Sequence, residues 1–269
     1  MSKRKTDNTN SPIDNSSATK LLQQAHKTGS ISGSTFAALD LVDVGAQIQA
    51  GLGICIDDIA ACEVVLLTMM PDDSSSIAAA GNTDAVRLGH NQVIDALKAS
   101  KQSGEVLAHT RYLNGTVLFP YATLDNAQAM TTANYDPRLG TPLYDQTTVV
   151  LGTVLAKSAE LAAAGIAVRT VTLLITDGGD CGSKRCNAAD VRRIIGEMLA
   201  QESHTIAAMG ISDGSTDFRQ VFREMGIPDR WILTPGNSPS EVRRAFAVFS
   251  QSAARASAGS ALTLGGFGN

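Results

Sequence analysis

Two short turns gather the groups in this 269-residue chain whose types and spacing could do chemistry. Asp72-Asp73-Ser74-Ser75-Ser76 follows the apolar run at residues 63–70, and Thr176-Asp177-Gly178-Gly179-Asp180 follows a second candidate strand, 168–175, whose apolar run is 171–175. Asp72 and Asp177 stand 105 positions apart. A third stretch, Gly140-Thr141-Pro142, precedes a long helical segment. Carboxylates and hydroxyls are hard oxygen donors, suited to a small octahedral cation that keeps several waters: Mg²⁺, with Mn²⁺ or Ca²⁺ as substitutes. Zinc is disfavoured, because no His or Cys cluster lies in these turns. Each piece also has a plainer role. Ser and Asp after a strand commonly cap helices, and Thr141 before Pro142 would cap its helix with or without a metal.

For the two turns to meet, the runs before them must be central strands. Residues 63–70 are apolar on both faces and stop at Pro71-Asp72, as a fully buried strand does. Val86, His90 or Val93, Ile94 and Leu97 recur every three or four positions and predict a helix over 84–98. Residues 105–113 and 116–121 flank Asn114-Gly115, a strong hairpin signal, so those two strands should be antiparallel. A long helix with Thr141 as its cap should run to about residue 164. A strand (168–175), a helix (187–201), a strand (205–211), a short helix (218–225) and a last short strand (231–234) follow. Ser238-Pro239-Ser240-Glu241 forms a capping box opening a helix with Val242, Phe246, Phe249 and Ala253 on one face. Strands alternating with helices predict a three-layer, Rossmann-like α/β fold: a mostly parallel central sheet, one antiparallel edge strand, and helices on both faces. In such sheets ligands bind beyond the carboxyl ends of the strands where strand order reverses.

Taken together, Asp72-x-Ser74-x-Ser76, Gly140-Thr141-Pro142-Leu143-Tyr144-Asp145 and Ile175-Thr176-Asp177-Gly178 resemble the three-part metal-ion-dependent adhesion site of von Willebrand factor type A domains, of the intracellular prokaryotic type. The resemblance covers residues 63–257. Ser75 departs from it, since the family often has Gly there, but no ligand is lost. The resemblance implies that Ser74 and Ser76 bind the cation directly and Thr141 directly or through water. Asp72 and Asp177 would act mainly through bound water or by fixing the serines. Neutral ligands leave the ion much of its charge and one open position for a Glu or Asp carboxylate of a protein partner. The helix N-terminus behind Thr141 would favour that incoming anion. Family members often act beside an AAA+ ATPase as adaptors or sit in larger assemblies, and in relatives the final helix, here 239–255, can move on binding. The expectation is a non-enzymatic interaction module.

Other residues count for less. Asp73, Asp145 and Asp180 read as solvated or supporting groups, Cys181 and Cys186 as free thiols beside the site, and Cys55 and Cys62 as core or near-core thiols. Neither His90 nor His109 has the neighbours a catalytic base needs. Two other functions are weighed. A Mg²⁺-dependent phosphohydrolase suits strand-end aspartates, but the chain has neither a P-loop nor a dinucleotide fingerprint. A ribonucleoprotein scaffold is disfavoured by four Tyr, one Trp and a formal charge of −4, so nucleic acid is not an expected partner.

Composition sets the bounds. Apolar residues make up 43% of the chain, enough for a packed core. No apolar run approaches the length of a membrane span, no secretory signal is recognised, and four cysteines are too few for a disulfide scaffold, so a cytoplasmic protein is expected. Residues 1–30, polar and carrying Lys3-Arg4-Lys5, read as a flexible tail, and 258–269 as another. Residues 31–62 read as an extension that packs on the domain or on a partner.

Overall fold

The computed structural model describes residues 16–257 and 266–267. In chain order the elements are α1 (Ser16–Lys27), α2 (Gly33–Leu39), α3 (Val42–Gln49), β1 (Glu63–Met70), α4 (Ser75–Ala79), α5 (Thr83–Lys98), β2 (Val106–Arg111) and β3 (Val117–Thr123). Then come α6 (Leu143–Ala163), β4 (Ala167–Thr176), α7 (Ala188–Leu199), β5 (His204–Gly210), α8 (Phe218–Glu224), β6 (Ile232–Leu233) and α9 (Pro239–Ser257). The six strands form one sheet in the order β3-β2-β1-β4-β5-β6. All neighbours are parallel except β2 and β3, the expected antiparallel hairpin. The strand order reverses between β1 and β4, whose register runs unbroken from Glu63 opposite Ala167 to Met70 opposite Leu174. Both site turns therefore leave the sheet side by side. Among the described residues, no helix is long and apolar enough to cross a membrane.

Helices α5 and α9 pack together on one face, while α6 and α7 cover the other. α6 is buried almost all round, from Leu143 to Leu161. A helix apolar on every side needs a second cover, and α1, α2 and α3 supply it. A Cβ on Gly152 would stand 2.6 Å from the Ile48 side chain and 2.8 Å from that of Leu39, so only glycine lets α6 approach the extension this closely. Gly53 has φ +63°, and a Cβ there would meet the Tyr121 carbonyl oxygen. Two buried cations add polar ties. Lys157 Nζ donates to the Ile54 carbonyl at 2.5 Å and pairs with Glu160, and the Arg111 guanidinium donates to the carbonyls of Gly115 and Gln47. Residues 31–62 thus pack on the domain.

Both tails need correcting. Residues 16–27 form a helix whose Ala18, Leu22 and Ala25 are buried, a stripe too short and small-chained to stand out in a polar sequence. Residues 1–15, with the basic triplet, lie outside the described residues. At the other end, the Phe267 amide donates to the Arg230 carbonyl at 2.9 Å and its ring meets Trp231 edge-on at 5.3 Å, while residues 258–265 and 268–269 lie outside the described residues. Cys55 and Cys62 are exposed, not core, because the segment before β1 runs over the surface.

Candidate metal centre

β1 ends by handing the chain to Pro71 and Asp72, and Asp72 is completely buried. Its carboxylate organises the site. Oδ1 accepts the Ser74 amide at 2.7 Å, and Oδ2 accepts the Thr176 hydroxyl at 2.8 Å and the Asp177 amide at 3.3 Å. Asp72 thereby ties the turn after β1 to the turn after β4. Asp177, 4% exposed, aims its carboxylate back across the gap: Oδ1 accepts the Ser76 hydroxyl at 2.6 Å and lies 3.4 Å from the Ser74 hydroxyl. The two serine hydroxyls are 2.8 Å apart. Asp72, Ser74, Ser76 and Asp177 are therefore brought together.

Thr141 arrives from a third direction. It is 6% exposed and forms an antiparallel bridge with Cys181, each amide donating to the other's carbonyl at 3.2 and 2.8 Å. A Cβ on Gly178 would stand 3.9 Å from its hydroxyl, so Thr141 lies alongside the turn that bears Asp177. That hydroxyl makes no hydrogen bond with any described residue. The expected cap is corrected: the residue at the N-cap of α6 is Pro142, and Thr141 is held in the bridge. The first-turn amides are satisfied from elsewhere. Asp180 Oδ1 accepts the Tyr144 amide, and the Ser183 hydroxyl accepts those of Tyr144 and Asp145, at 3.1 to 3.2 Å. The helix end that would favour an incoming anion is already served by Asp180.

Ser74 occupies the N-cap position of α4 with extended backbone angles, yet makes no side-chain capping bond. Its hydroxyl turns to Ser76 and Asp177 instead. Burial pushes the Asp72 carboxyl above its ordinary range, the hydrogen bonds from Ser74, Thr176 and Asp177 opposing it. Burial, and then the neighbouring Asp72 charge, push Asp177 up to about 6, against the pull of the serine hydroxyls. No ion pair among the described residues involves either carboxylate. Two crowded, uncompensated carboxylates beside three hydroxyls, one unpaired, are a donor set that fits a hard divalent cation. A site of acidic, His or Cys ligands alone does not arise: among the described residues, no three of those types are gathered for a metal.

Supporting groups emerge that spacing did not assign. Asp73, read as solvated or supporting, is buried and supports: the Asn114 amide donates to it at 3.0 Å, which locks the β2–β3 turn to the site, and burial raises its pKa to about 6. The Tyr135 hydroxyl donates to the Asp72 carbonyl at 2.5 Å. Asp145 accepts the amides of Lys184, Arg185 and Cys186 at 2.8 to 3.1 Å and pins the loop after β4 to α6. The four cysteines are free thiols. His90 and His109 are fully buried and bonded to Thr110 and the Phe119 carbonyl, away from the cluster.

No family model matches the sequence, and no curated protein matches it. Solved structures do resemble it. The pilus adhesin SpaC from Lactobacillus rhamnosus GG, in its open conformation, overlays with a TM-score of 0.51 at 16% identity, over 72% of this chain and 30% of that one. Proximal thread matrix protein 1 from the mussel byssus gives 0.51 at 16% identity, over 72% and 47%. This chain spans about a third and about half of those two, and the likeness shows the fold. The SpRpn10 VWA domain overlays at 0.48 with 10% identity, over 70% of this chain and 94% of that one.

Proposed function

We propose that this chain is a metal-dependent protein-interaction module of the von Willebrand factor type A kind, holding Mg²⁺ at a metal-ion-dependent adhesion site and capturing an acidic side chain of a partner. One observation carries the reading: the hydroxyls that should cap helices do not. Ser74 stands at a helix start without capping it, Thr141 is withheld from capping α6, and the Ser76 hydroxyl lies 2.6 Å from Asp177. A local capping role would have turned each toward a backbone amide. Here the serine hydroxyls turn toward a carboxylate at the point where strand order reverses.

Ser74, Ser76 and Thr141 would hold the ion through neutral oxygens, with Asp177 beside the serines and Asp72 fixing the turn that carries them. A bound divalent ion supplies a Lewis-acidic position for a Glu or Asp carboxylate. The chain's own work is to fix the three oxygens and to keep the surrounding carboxylates few, so that the ion's charge is not spent within the protein. The reading makes the protein a binder and not an enzyme. It extends to a cytoplasmic adaptor beside an AAA+ ATPase or within a larger assembly.

The test uses Mn²⁺ as the probe and paramagnetic resonance to follow the free ion. The full chain should take up one Mn²⁺, competed by Mg²⁺, and Ser74→Ala/Ser76→Ala should weaken uptake at least about tenfold, as expected when charge-assisted oxygen contacts are lost. Partner retained on the immobilised protein in Mg²⁺ should elute with chelator. Uptake unchanged in the double variant, or retention equal in chelator and Mg²⁺, would end the proposal.

A further inference from the structure

A cavity of about 380 Å³ lies at the opposite edge of the sheet, between α1, the C-terminal half of α6 and the first residues of β4 and β5. β4 has ten residues, so at strand rise the cavity is roughly 30 Å from the oxygen cluster. Its volume falls within the range of small-molecule sites. Its walls divide by chemistry. Leu155, Ala159, Ile166 and Val168 give an apolar side, while Ser158, Gln201 and His204 give polar groups. Among the described residues that line it there is no Asp, Glu, Lys or Arg.

All three polar groups have capacity left over. His204 is 7% exposed, and its Nδ1 is 2.8 Å from the Thr170 hydroxyl, whereas Nε2 makes no hydrogen bond with any described residue. The Ser158 hydroxyl is buried and also lacks a partner. Gln201 spends its amide N–H groups on the carbonyls of Ser30 and Glu197, which leaves its side-chain oxygen as an acceptor. Burial holds the His204 ring neutral, its pKa lowered to about 4. A buried donor or acceptor without a partner is unfavourable, and the Ser158 hydroxyl is one; with the unused Nε2 of His204 and the Gln201 side-chain oxygen on the same wall, it marks a place where an occupant completes the bonding.

We infer that this cavity is a second binding site, independent of the metal centre, for an uncharged, ring-sized molecule whose donors and acceptors meet His204 Nε2, the Ser158 hydroxyl and the Gln201 side-chain oxygen. Neutrality of the guest follows from the walls. The described lining residues offer a charged molecule no counter-ion, so what water it loses there is not compensated by an ion pair. The apolar side takes the face of the ring, and the small side chain of Ala159 leaves the space for it.

Benzamide and benzoate test this as a pair, being alike in shape and different in charge. The readout is the ¹⁵N chemical shift of the His204 ring nitrogens in the full chain, at neutral pH. Benzamide should shift them saturably, with a dissociation constant on the order of 1 mM for so small a ligand. Benzoate should bind at least about tenfold more weakly. Ala159→Phe should abolish the benzamide response with the fold intact by circular dichroism. Should that variant fail to fold, Ser158→Ala decides, because it removes one hydroxyl without adding bulk and should lose affinity several-fold. No saturable shift with benzamide, equal binding of benzoate, a folded Ala159→Phe that still responds, or unchanged affinity in Ser158→Ala would each overturn the inference.

Discussion

Asp72 separates a metal role from a structural one, because its two plausible replacements should behave differently. Asp72→Ala deletes an acceptor used by the Ser74 amide, the Thr176 hydroxyl and the Asp177 amide, two of the three bonds being 2.8 Å or shorter. Each buried donor left without a partner costs about 1–3 kcal/mol. Releasing a carboxyl whose burial is already unfavourable gives part of that back. A net loss of about 2–4 kcal/mol follows, or a fall in Tm of about 4–16 °C at 2–4 °C per kcal/mol. Asp72→Asn keeps the shape and one acceptor oxygen for Ser74 and removes the buried charge, and the Thr176 hydroxyl can keep the Gly178 carbonyl as its acceptor, but the new NH2 cannot accept from the Asp177 amide, so its metal-free stability should fall by about 1–2 kcal/mol, less than in Asp72→Ala. The metal response divides the other way. An ion present at 100 times its dissociation constant adds about 2.7 kcal/mol to a protein that binds it only when folded. Wild type should therefore gain about 5–11 °C in saturating Mg²⁺, and Asp72→Asn should gain almost nothing. Scanning calorimetry of all three proteins, with Mg²⁺ and with chelator, gives the four comparisons. A Mg²⁺ shift that survives in Asp72→Asn, or metal-free Asn and Ala variants of equal stability, would refute the account of Asp72 as the carboxylate that joins the two turns and supports the ion.

Buried neutral histidines should make the protein acid-sensitive. The pKa of His90 is lowered to about 4 by burial, from 6.5, so the unfolded chain binds the proton first and this group's stabilisation is lost as pH falls from 6.5 toward 4. Between pH 7 and 5 it accounts for about 2 kcal/mol, and denaturant melts of His90→Gln should show a correspondingly flatter pH profile. Asp73 and Asp177, both pushed up to about 6, act in the opposite direction, losing stability as pH rises from 3.8 through 6, and only for Asp177 should Mg²⁺ cancel the trend. A Cβ on Gly89 would stand 2.1 Å from the buried Phe246 ring, so Gly89→Ala should cost about 1–3 kcal/mol and speed hydrogen exchange in α9 before other elements. Phe267→Ala should lower Tm and raise Trp231 fluorescence quenching by acrylamide, since the ring covers that indole edge-on at 5.3 Å; unchanged quenching would show that the contact is not held in solution.

The parts of the fold legible in the sequence were those whose burial is two-sided. β1 is covered by helices on both faces, so it reads as a nearly continuous apolar run and was expected at the residues where it occurs, and the buried half of β4 from Val171 on reads in the same way. The Asn114-Gly115 turn fixed the antiparallel edge by its own chemistry, with Gly115 at φ +98°. What escaped detection depends on tertiary cover. α1 carries an amphipathic stripe, Ala18, Leu21, Leu22 and Ala25 at helical spacing, but so short a stripe in a polar stretch reads as a tail until α6 lies against it. Asp73 and Asp72 are adjacent and chemically alike in sequence, yet one turns to Asn114 and the other to Thr176.

The site was legible as a set of residue types at strand ends, and its meaning was not. A serine or threonine before a helix satisfies the capping pattern and the oxygen-ligand pattern equally well, because both need a short hydroxyl side chain on extended backbone. The two separate only when strand order is known. Placing β4 beside β1 brings Asp177 against Ser74 and Ser76, which gives those hydroxyls a carboxylate to face, and the bridge between Thr141 and Cys181 leaves Asp180 and Ser183 to satisfy the start of α6. With the start of α6 served by Asp180 and Ser183, the Thr141 hydroxyl is left unpaired, while those of Ser74 and Ser76 face Asp177. The cavity lies at the other end of β4, where β4 and β5 begin, so β4 carries the oxygen cluster at its carboxyl end and the cavity at its amino end.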